Sequence, residues 1–148
     1  MFKKSMLLIL SVFAVVFSTV DVEAAKISRK AAKDFFEVFA LITDTSQFHS
    51  SLKGTKGFDK NDCWKGADED WDDFKIKEID YDEEDDLSFV SGYFYSNDKK
   101  DDNLYCFGMV KEKNNWVILV VVRSHDDEEE VYNYNFKKAR YELVEDDE

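Results

Sequence analysis

The sequence contains none of the short motifs by which most enzymes and cofactor-binding proteins are recognised. It has no G-x-S-x-G nucleophile elbow, no P-loop, no G-x-G-x-x-G turn and no His and Cys residues at zinc-binding spacing. Only two histidines, His49 and His125, and two cysteines, Cys63 and Cys106, are present. These absences exclude the nucleotide-binding and zinc-dependent classes that rely on such motifs. We therefore predict no catalytic residue, no metal site and no cofactor.

Long hydrophobic runs are also scarce. The single apolar run, Met6 to Phe17, is about 12 residues long, shorter than the ~20 that a membrane-spanning helix needs. Lys3 and Lys4 precede it, and Val22-Glu23-Ala24 places small residues at positions −3 and −1, as in a cleavable signal peptide. We predict that the first 24 residues are removed and that the chain is exported. The product would be periplasmic or secreted, with no membrane insertion after cleavage.

Basic residues are outnumbered, with 20 Lys and Arg against 33 Asp and Glu, so the formal net charge is −13. Lys3 and Lys4 cancel Asp21 and Glu23, so predicted cleavage leaves this charge unchanged. About 124 residues would remain, enough for one domain with its own core. Aromatic residues make up 16% of the chain, too many for a disordered acidic tail. The charge excludes nucleic acids and anionic membranes as partners, and it favours a basic protein.

The two cysteines form an even count in a chain predicted to enter an oxidising compartment. We therefore predict one disulfide, Cys63 to Cys106, joining the loop-rich first half to a strand of the second half. A functional thiol pair is the alternative, but these residues lack C-x-x-C spacing.

The mature chain is predicted to begin with an amphipathic helix and a loop-rich segment. Apolar residues recur at helical spacing between Ser28 and Ile42, with Ser28 as the N-cap. Residues 44–73 have no clean period and are predicted to be loop-rich. Trp64 and Trp71 are expected to attach this segment to the core.

From Phe74 onward the pattern changes to strands separated by polar turns. The apolar phase slips between Ile76 and Ile79, which predicts a bulge. Lys113-Asn114-Asn115 predicts a tight hairpin, because Asn tolerates positive φ. Residues 137–148 form a tail of strand or short helix with a frayed end. The five predicted strands are Phe74–Tyr81, Leu87–Tyr95, Leu104–Val110, Trp116–Val122 and Val131–Phe136.

This order predicts an α+β fold with one N-terminal amphipathic helix packed on a curved antiparallel sheet of four to five strands. The aromatic helix, the meander and the run from Lys113 to Ile118 resemble exported members of the NTF2-like and cystatin-like group. That resemblance implies a helix lying across a bent sheet. It also implies an alternative function, a small-ligand pocket, with or without catalysis, between the sheet and Phe35, Phe36 and Phe39.

Three acidic runs, Asp68–Asp73, Asp82–Asp86 and Asp126–Glu130, raise the question of metal binding. Read from Asp68 as a calcium loop, the first run places Asp73 where the turn glycine belongs and Ile79 where the bidentate Glu belongs. The motif therefore fails, although weak Ca²⁺ binding by a less regular cluster stays open.

Two residue patterns could be mistaken for catalytic sites. Paired carboxylates could support glycoside hydrolysis only across a cleft. Ser124-His125-Asp126 does not make a triad, because neighbouring side chains on a strand point to opposite faces. Both histidines are predicted to be exposed at strand or loop ends.

The leading hypothesis is therefore an exported acidic binding protein rather than an enzyme, an inhibitor or immunity-type protein that neutralises a basic envelope or secreted protein. Acidic side chains with Tyr and Trp among them can form such an interface. The candidate interface residues are Asp68, Asp70, Trp71, Asp72, Tyr81, Asp82, Glu83, Glu84, Tyr93 and Tyr132.

Overall fold

A computed structural model of the chain describes residues 26–59, 63–64, 71–125 and 130–144. The predicted signal peptide, the candidate interface residues Asp68 and Asp70, and the end of the tail lie outside the described residues. Within these ranges, no helix is long and apolar enough to cross a membrane.

One α-helix, α1, spans Arg29–Phe39. As predicted, Ser28 is the N-cap, and its hydroxyl accepts a hydrogen bond from the backbone N–H of Ala31 at 3.0 Å. The helix buries Ala32, Phe36 and Phe39 and ends three residues earlier than predicted. Ile42, the last residue of the predicted helix, is 67% exposed.

Two short 3₁₀ turns, Thr45–Gln47 and Ser50–Leu52, follow the helix. The first is held by a capping box, in which the side chain of Gln47 accepts from the backbone N–H of Asp44 at 2.7 Å. Phe48 and Leu52 are buried on the same side of the sheet as α1. The predicted loop-rich segment is therefore anchored through its own apolar side chains.

A two-stranded sheet, β1 with β2, stands beside a seven-stranded antiparallel sheet. The order of the large sheet is β3-β4-β6-β7-β8-β9, with β5 paired to β4. The α+β class is confirmed, but the predicted count of four to five strands is wrong, because β5 was missed and the tail that contains β9 was left as strand or short helix. The strands are β1 Phe58–Asp59, β2 Cys63–Trp64, β3 Asp73–Asp82, β4 Leu87–Ser96, β5 Lys99–Lys100, β6 Asn103–Glu112, β7 Asn115–His125, β8 Val131–Asn135 and β9 Arg140–Leu143.

Two irregular positions of the sheet are those that the sequence predicts. The register of β3 against β4 shifts between Ile76 and Glu78, which confirms the bulge. Lys113 and Asn114 have φ of 52° and 67°, so they form the tight turn between β6 and β7. Asn115 is already the first residue of β7.

The face of the sheet under α1 carries an aromatic core. The ring of Phe36 lies 4.7 Å from that of Phe74 and 5.0 Å from that of Phe107, centroid to centroid. Trp71 stacks on Phe94 at 3.8 Å with an interplanar angle of 9°. The predicted attachment of Trp71 to the core is therefore confirmed.

The opposite face of the sheet, called the second face below, carries a separate apolar cluster. Strand β7 contributes to both sides, because Ile118 and Val121 lie in the helix-side core while Val117 and Val120 lie in the second cluster. Strand β7 therefore lies between β6 and β8 in the sheet and has buried side chains on both faces. The second face consists of Leu87, Phe89, Cys106, Val110, Val117, Leu119, Val120, Val122 and Val131.

The predicted disulfide is not formed, and the thiol of Cys106 is fully buried. Its neighbours on β6, Tyr105 and Phe107, face the helix-side core, so alternation turns Cys106 toward the second face. The loop segment packs on the helix side through Phe58, the first residue of β1, and β1 pairs with the strand that contains Cys63. The even count of cysteines was therefore a misleading signal.

Candidate functional site

The densest group of described charges is the turn between β3 and β4, here called the acidic tip, Asp82–Asp86. The turn is fixed by its own side chains. The backbone N–H of Asp85 donates to Oδ1 of Asp82 at 3.2 Å, and the hydroxyl of Tyr81 donates to Oδ1 of Asp86 at 2.7 Å. Asp86 adopts a φ of 52°, a left-handed conformation that Asp tolerates better than most residues. Of the five carboxylates in this turn, those of Asp82 and Asp86 are thus held by hydrogen bonds.

The electrostatics of the acidic tip show mutual repulsion. Partial burial raises the pKa of Asp85, and the nearby charges of Asp82 and Glu84 raise it further. The hydrogen bond to Asp86 raises the pKa of Tyr81 to about 12, so its hydroxyl stays protonated as a donor. Glu83 and Glu84 are exposed. A cationic partner would relieve this repulsion.

The described candidate interface residues do not form one surface. Tyr81, Asp82, Glu83 and Glu84 lie together at the tip, whereas the remainder lie elsewhere. Trp71 is committed to the core, and β3 separates Asp72 from the tip by ten residues, about 30 Å. The other two lie on different strands, Tyr93 under the ammonium of Lys100 at 4.3 Å and Tyr132 with its hydroxyl 3.4 Å from Glu130.

The alternative pocket falls on side chains that fill the helix-side core. Phe35, Phe36 and Phe39 pack on one another with ring centroids 4.9 to 6.0 Å apart. Phe36 and Phe39 also contact Phe107. The space that this hypothesis reserves for a ligand is therefore occupied by aromatic rings.

Two surface concavities among the described residues are not lined by Phe35, Phe36 or Phe39. A groove of about 420 Å³ between α1 and β3 is lined by three cations, two carboxylates and two apolar residues. A second concavity, of about 230 Å³, is lined in part by Ser50, Lys53 and Glu112. No group of three or more His, Cys, Asp or Glu suited to a metal ion occurs among the described residues.

His49 occupies a site that the sequence did not predict. Its side chain is only 13% exposed, which corrects the expectation of an exposed histidine, and Nε2 lies 3.4 Å from Oε2 of Glu112. Nδ1 accepts the backbone N–H of Ser51 at 3.0 Å and lies 2.8 Å from its hydroxyl oxygen. Ser50 bonds Glu112 through both its N–H and its hydroxyl. The cluster ties the second 3₁₀ turn to the end of β6.

Burial decides the charge of this histidine. Burial lowers the pKa of His49 more than the carboxylate of Glu112 raises it. The ring is therefore neutral at pH 7, with its proton on Nε2 because Nδ1 accepts a backbone N–H. Burial raises the pKa of Glu112, but the hydrogen bonds from Ser50 and the charge of His49 together lower this pKa by a larger amount, so the net shift is downward. Because Nδ1 of His49 accepts the backbone N–H of Ser51, it is not available as a general base. The cluster of His49, Ser50, Ser51 and Glu112 is therefore structural, and it is called the clasp below.

His125 is exposed at the end of β7, as predicted, while Ser124 is buried. The two side chains therefore point to opposite faces, and they form no triad. Asp126 lies outside the described residues.

Sequence reasoning identified the acidic tip but missed Glu78 and Asp80 beside it. No local signal could have found them, because it is the pairing of β3 with β4 that sets them opposite Ser91 and Phe89, beside the second face.

Comparison with known proteins found no match to any family model, any curated protein or any solved structure. The resemblance to NTF2-like and cystatin-like domains thus stays a prediction from element order.

Proposed function

We propose that this chain is an exported acidic protein that binds and neutralises a basic envelope or secreted protein, as an inhibitor or immunity-type protein does. The acidic tip carries the proposal. It presents five consecutive carboxylates at the end of a long hairpin, with Tyr81 beside them as an aromatic anchor.

The hydrogen bonds that fix the acidic tip support binding, because less conformational entropy is lost when a partner binds a turn that is already formed. Asp82 and Asp86 are already held by hydrogen bonds, while Glu83 and Glu84 extend into solvent. Concentrated negative charge speeds encounter with a positive surface and disfavours acidic competitors. A basic protein with an Arg or Lys cluster matches this chemistry.

The N-terminal sequence pattern supports export. Removal of residues 1–24 would also leave intact the core on the helix side of the sheet. The first residue of that core is Ile27, whose backbone N–H donates to the hydroxyl of Ser88 at 2.9 Å. Cleavage after Ala24 would leave this anchor in place.

Capture from extracellular and envelope extracts tests the proposal. The bait is the exported chain, whose N-terminus is determined by sequencing. Capture is carried out at low salt and again at high salt. We expect a basic protein to bind at low salt and to be lost at high salt. Neutralising the tip with Asp82→Asn, Glu83→Gln and Glu84→Gln should abolish capture.

The matched control is the triple variant Asp98→Asn, Asp101→Asn and Asp102→Asn. It removes the same three charges from the turn region between β4 and β6, where Lys99 and Lys100 already offset them. Equal capture by both triple variants would show that net charge, and not the acidic tip, is responsible. Capture of no specific basic protein would refute the function.

A further inference from the structure

Strand β3 is the outermost described strand at one edge of the large sheet, and part of its backbone faces outward. Phe74 pairs with Phe94 of β4, but the carbonyl oxygen of Phe94 accepts from the backbone N–H of Asp101 at 2.9 Å, on the side of β5. The backbone of Phe74 therefore points away from β4. Alternation turns the backbone of Ile76 the same way, and its carbonyl oxygen accepts from the guanidinium of Arg29 at 3.4 Å.

Side chains stand at this edge where a neighbouring strand would bind. The backbone N–H of Phe74 donates to Oδ1 of Asp73 at 2.8 Å, and the bond from Arg29 to Ile76 is long and exposed to solvent. Bonds between backbone amides and carbonyls have a length of about 2.9 Å. An extended peptide supplies both donors and acceptors at the spacing of an edge strand. It can therefore replace both side-chain bonds.

Helix α1 forms a wall along the same edge. Arg29, Lys33 and Glu37 lie one turn apart on the helix and, with Asp73–Ile76, line the groove of about 420 Å³. The helix wall is about 12 Å long and the strand wall about 10 Å, which is the length of roughly three or four extended residues. The register shift after Ile76 ends the regular edge at the same point. The groove thus has the length and position of a short added strand.

The groove carries more cations than carboxylates, in a chain whose net charge is −13. Arg29 and Lys33 are exposed on α1. Lys75 points to the other face of β3, where its ammonium lies 4.6 Å from the ring centroid of Tyr95. In the part of the chain that the structure describes, none of these three cations forms an ion pair. The edge is therefore positive on both of its faces, and carboxylates match it.

We propose that the groove between α1 and β3 binds an extended, carboxylate-rich segment of a partner protein as an added strand of the sheet. The main chain of the segment bonds the outward groups of Phe74 and Ile76. Its side chains alternate between the two faces. Carboxylates on one face reach Arg29 and Lys33, and those on the other face lie beside Lys75.

This site is separate from the acidic tip and does not depend on it. Ile76 and Asp82 are six residues apart along β3, about 20 Å. A second copy of the chain is a poor occupant of the edge. Pairing of two β3 strands through the groups of Phe74 and Ile76 would set Lys75 opposite Lys75, and like charges directly opposite each other are destabilising.

The test uses the full-length chain and a fluorescent peptide, Val-Glu-Glu-Val-Val-Glu-Glu-Val, which has Glu on both faces when extended. Binding is followed by fluorescence anisotropy at low salt. One control peptide has Gln in place of every Glu. The other keeps the sequence but is methylated on its backbone nitrogens, so it cannot donate hydrogen bonds. We expect the Glu peptide to bind about tenfold more tightly than either control.

Charge variants locate the peptide on the chain. The triple variant Arg29→Gln, Lys33→Gln and Lys75→Gln should weaken binding by about tenfold. A matched variant removes three exposed lysines from turns and a strand away from the groove and should leave binding unchanged. Its substitutions are Lys99→Gln, Lys100→Gln and Lys137→Gln.

Hydrogen exchange tests the added strand itself. With the Glu peptide bound, the backbone N–H groups of Phe74 and Ile76 should exchange about tenfold more slowly, while that of Asn114, in the turn between β6 and β7, should be unchanged. Equal binding of the Glu peptide and either control, equal weakening by the two triple variants, or unchanged exchange at Phe74 and Ile76 would overturn the proposal. A chain that sediments as a stable dimer and binds no peptide would overturn it in favour of a second copy.

Discussion

Phe36 offers a quantitative test of the way the helix is attached to the sheet. Its ring is 1% exposed and contacts Phe35, Phe39, Phe74 and Phe107 at centroid distances of 4.7 to 5.7 Å. Removing a buried Phe ring costs about 3–5 kcal/mol, and aromatic pairs add about 0.5–1.5 kcal/mol each. We expect Phe36→Ala to fall at the upper end, about 4–5 kcal/mol.

The assay is urea unfolding followed by Trp fluorescence, with the slope m compared between variants. Since a domain of this size has only about 5–15 kcal/mol of stability, Phe36→Leu is measured as well and should cost about 1–2 kcal/mol. Val38→Ala is the control on the same helix, because Val38 is 56% exposed and its loss should change stability by less than about 0.5 kcal/mol. A cost below about 1 kcal/mol for Phe36→Ala would refute the packed core and favour the ligand pocket.

Three further predictions concern buried groups. Cys106 should not react with a thiol reagent in the native protein, whereas two thiols per chain should react in denaturant. If no thiol reacts in denaturant, the predicted disulfide between Cys63 and Cys106 is present after all. Because the pKa of His49 is lowered on folding, the unfolded chain binds more protons below pH ~6.5, so stability should fall as pH drops through the folded pKa. Between pH 7.5 and pH 5.5 the urea midpoint should fall less for His49→Asn than for the unchanged chain. An equal fall in both proteins would contradict the structural role of His49. Gly92→Ala would place Cβ against the carbonyl oxygen of Lys75, so the free energy of unfolding should fall by about 1–3 kcal/mol and the thermal midpoint should drop; an unchanged midpoint would contradict that close approach.

Local patterns in the sequence were sufficient for most of the fold. The N-cap Ser28, the bulge after Ile76 and the positive-φ turn at Lys113 and Asn114 each depend on neighbouring residues, so periodicity and turn chemistry revealed them. Strand β9 was left undecided because its four residues, Arg140–Leu143, are too few for periodicity to separate strand from helix.

Long-range pairings could not be read in the same way. The clasp joins His49 to Glu112, and Ser50 lies 62 positions from Glu112, a separation at which no local pattern exists. The disulfide was inferred from a count, although alternation along β6 already placed Cys106 on the face opposite Tyr105 and Phe107. The acidic tip was found because its residues are consecutive, whereas the border formed by Glu78 and Asp80 emerges only from the pairing of β3 with β4.

The rate at which the proposed basic partner associates with the chain tests the central claim most directly. Measured on a biosensor at 50 and 500 mM salt, the rate constant for the unchanged chain should fall steeply at high salt. At 50 mM salt, neutralising Asp82, Glu83 and Glu84 should lower it about tenfold, and neutralising Asp98, Asp101 and Asp102 should leave it nearly unchanged. Equal rate constants for the two triple variants, or a rate that does not depend on salt, would contradict the account.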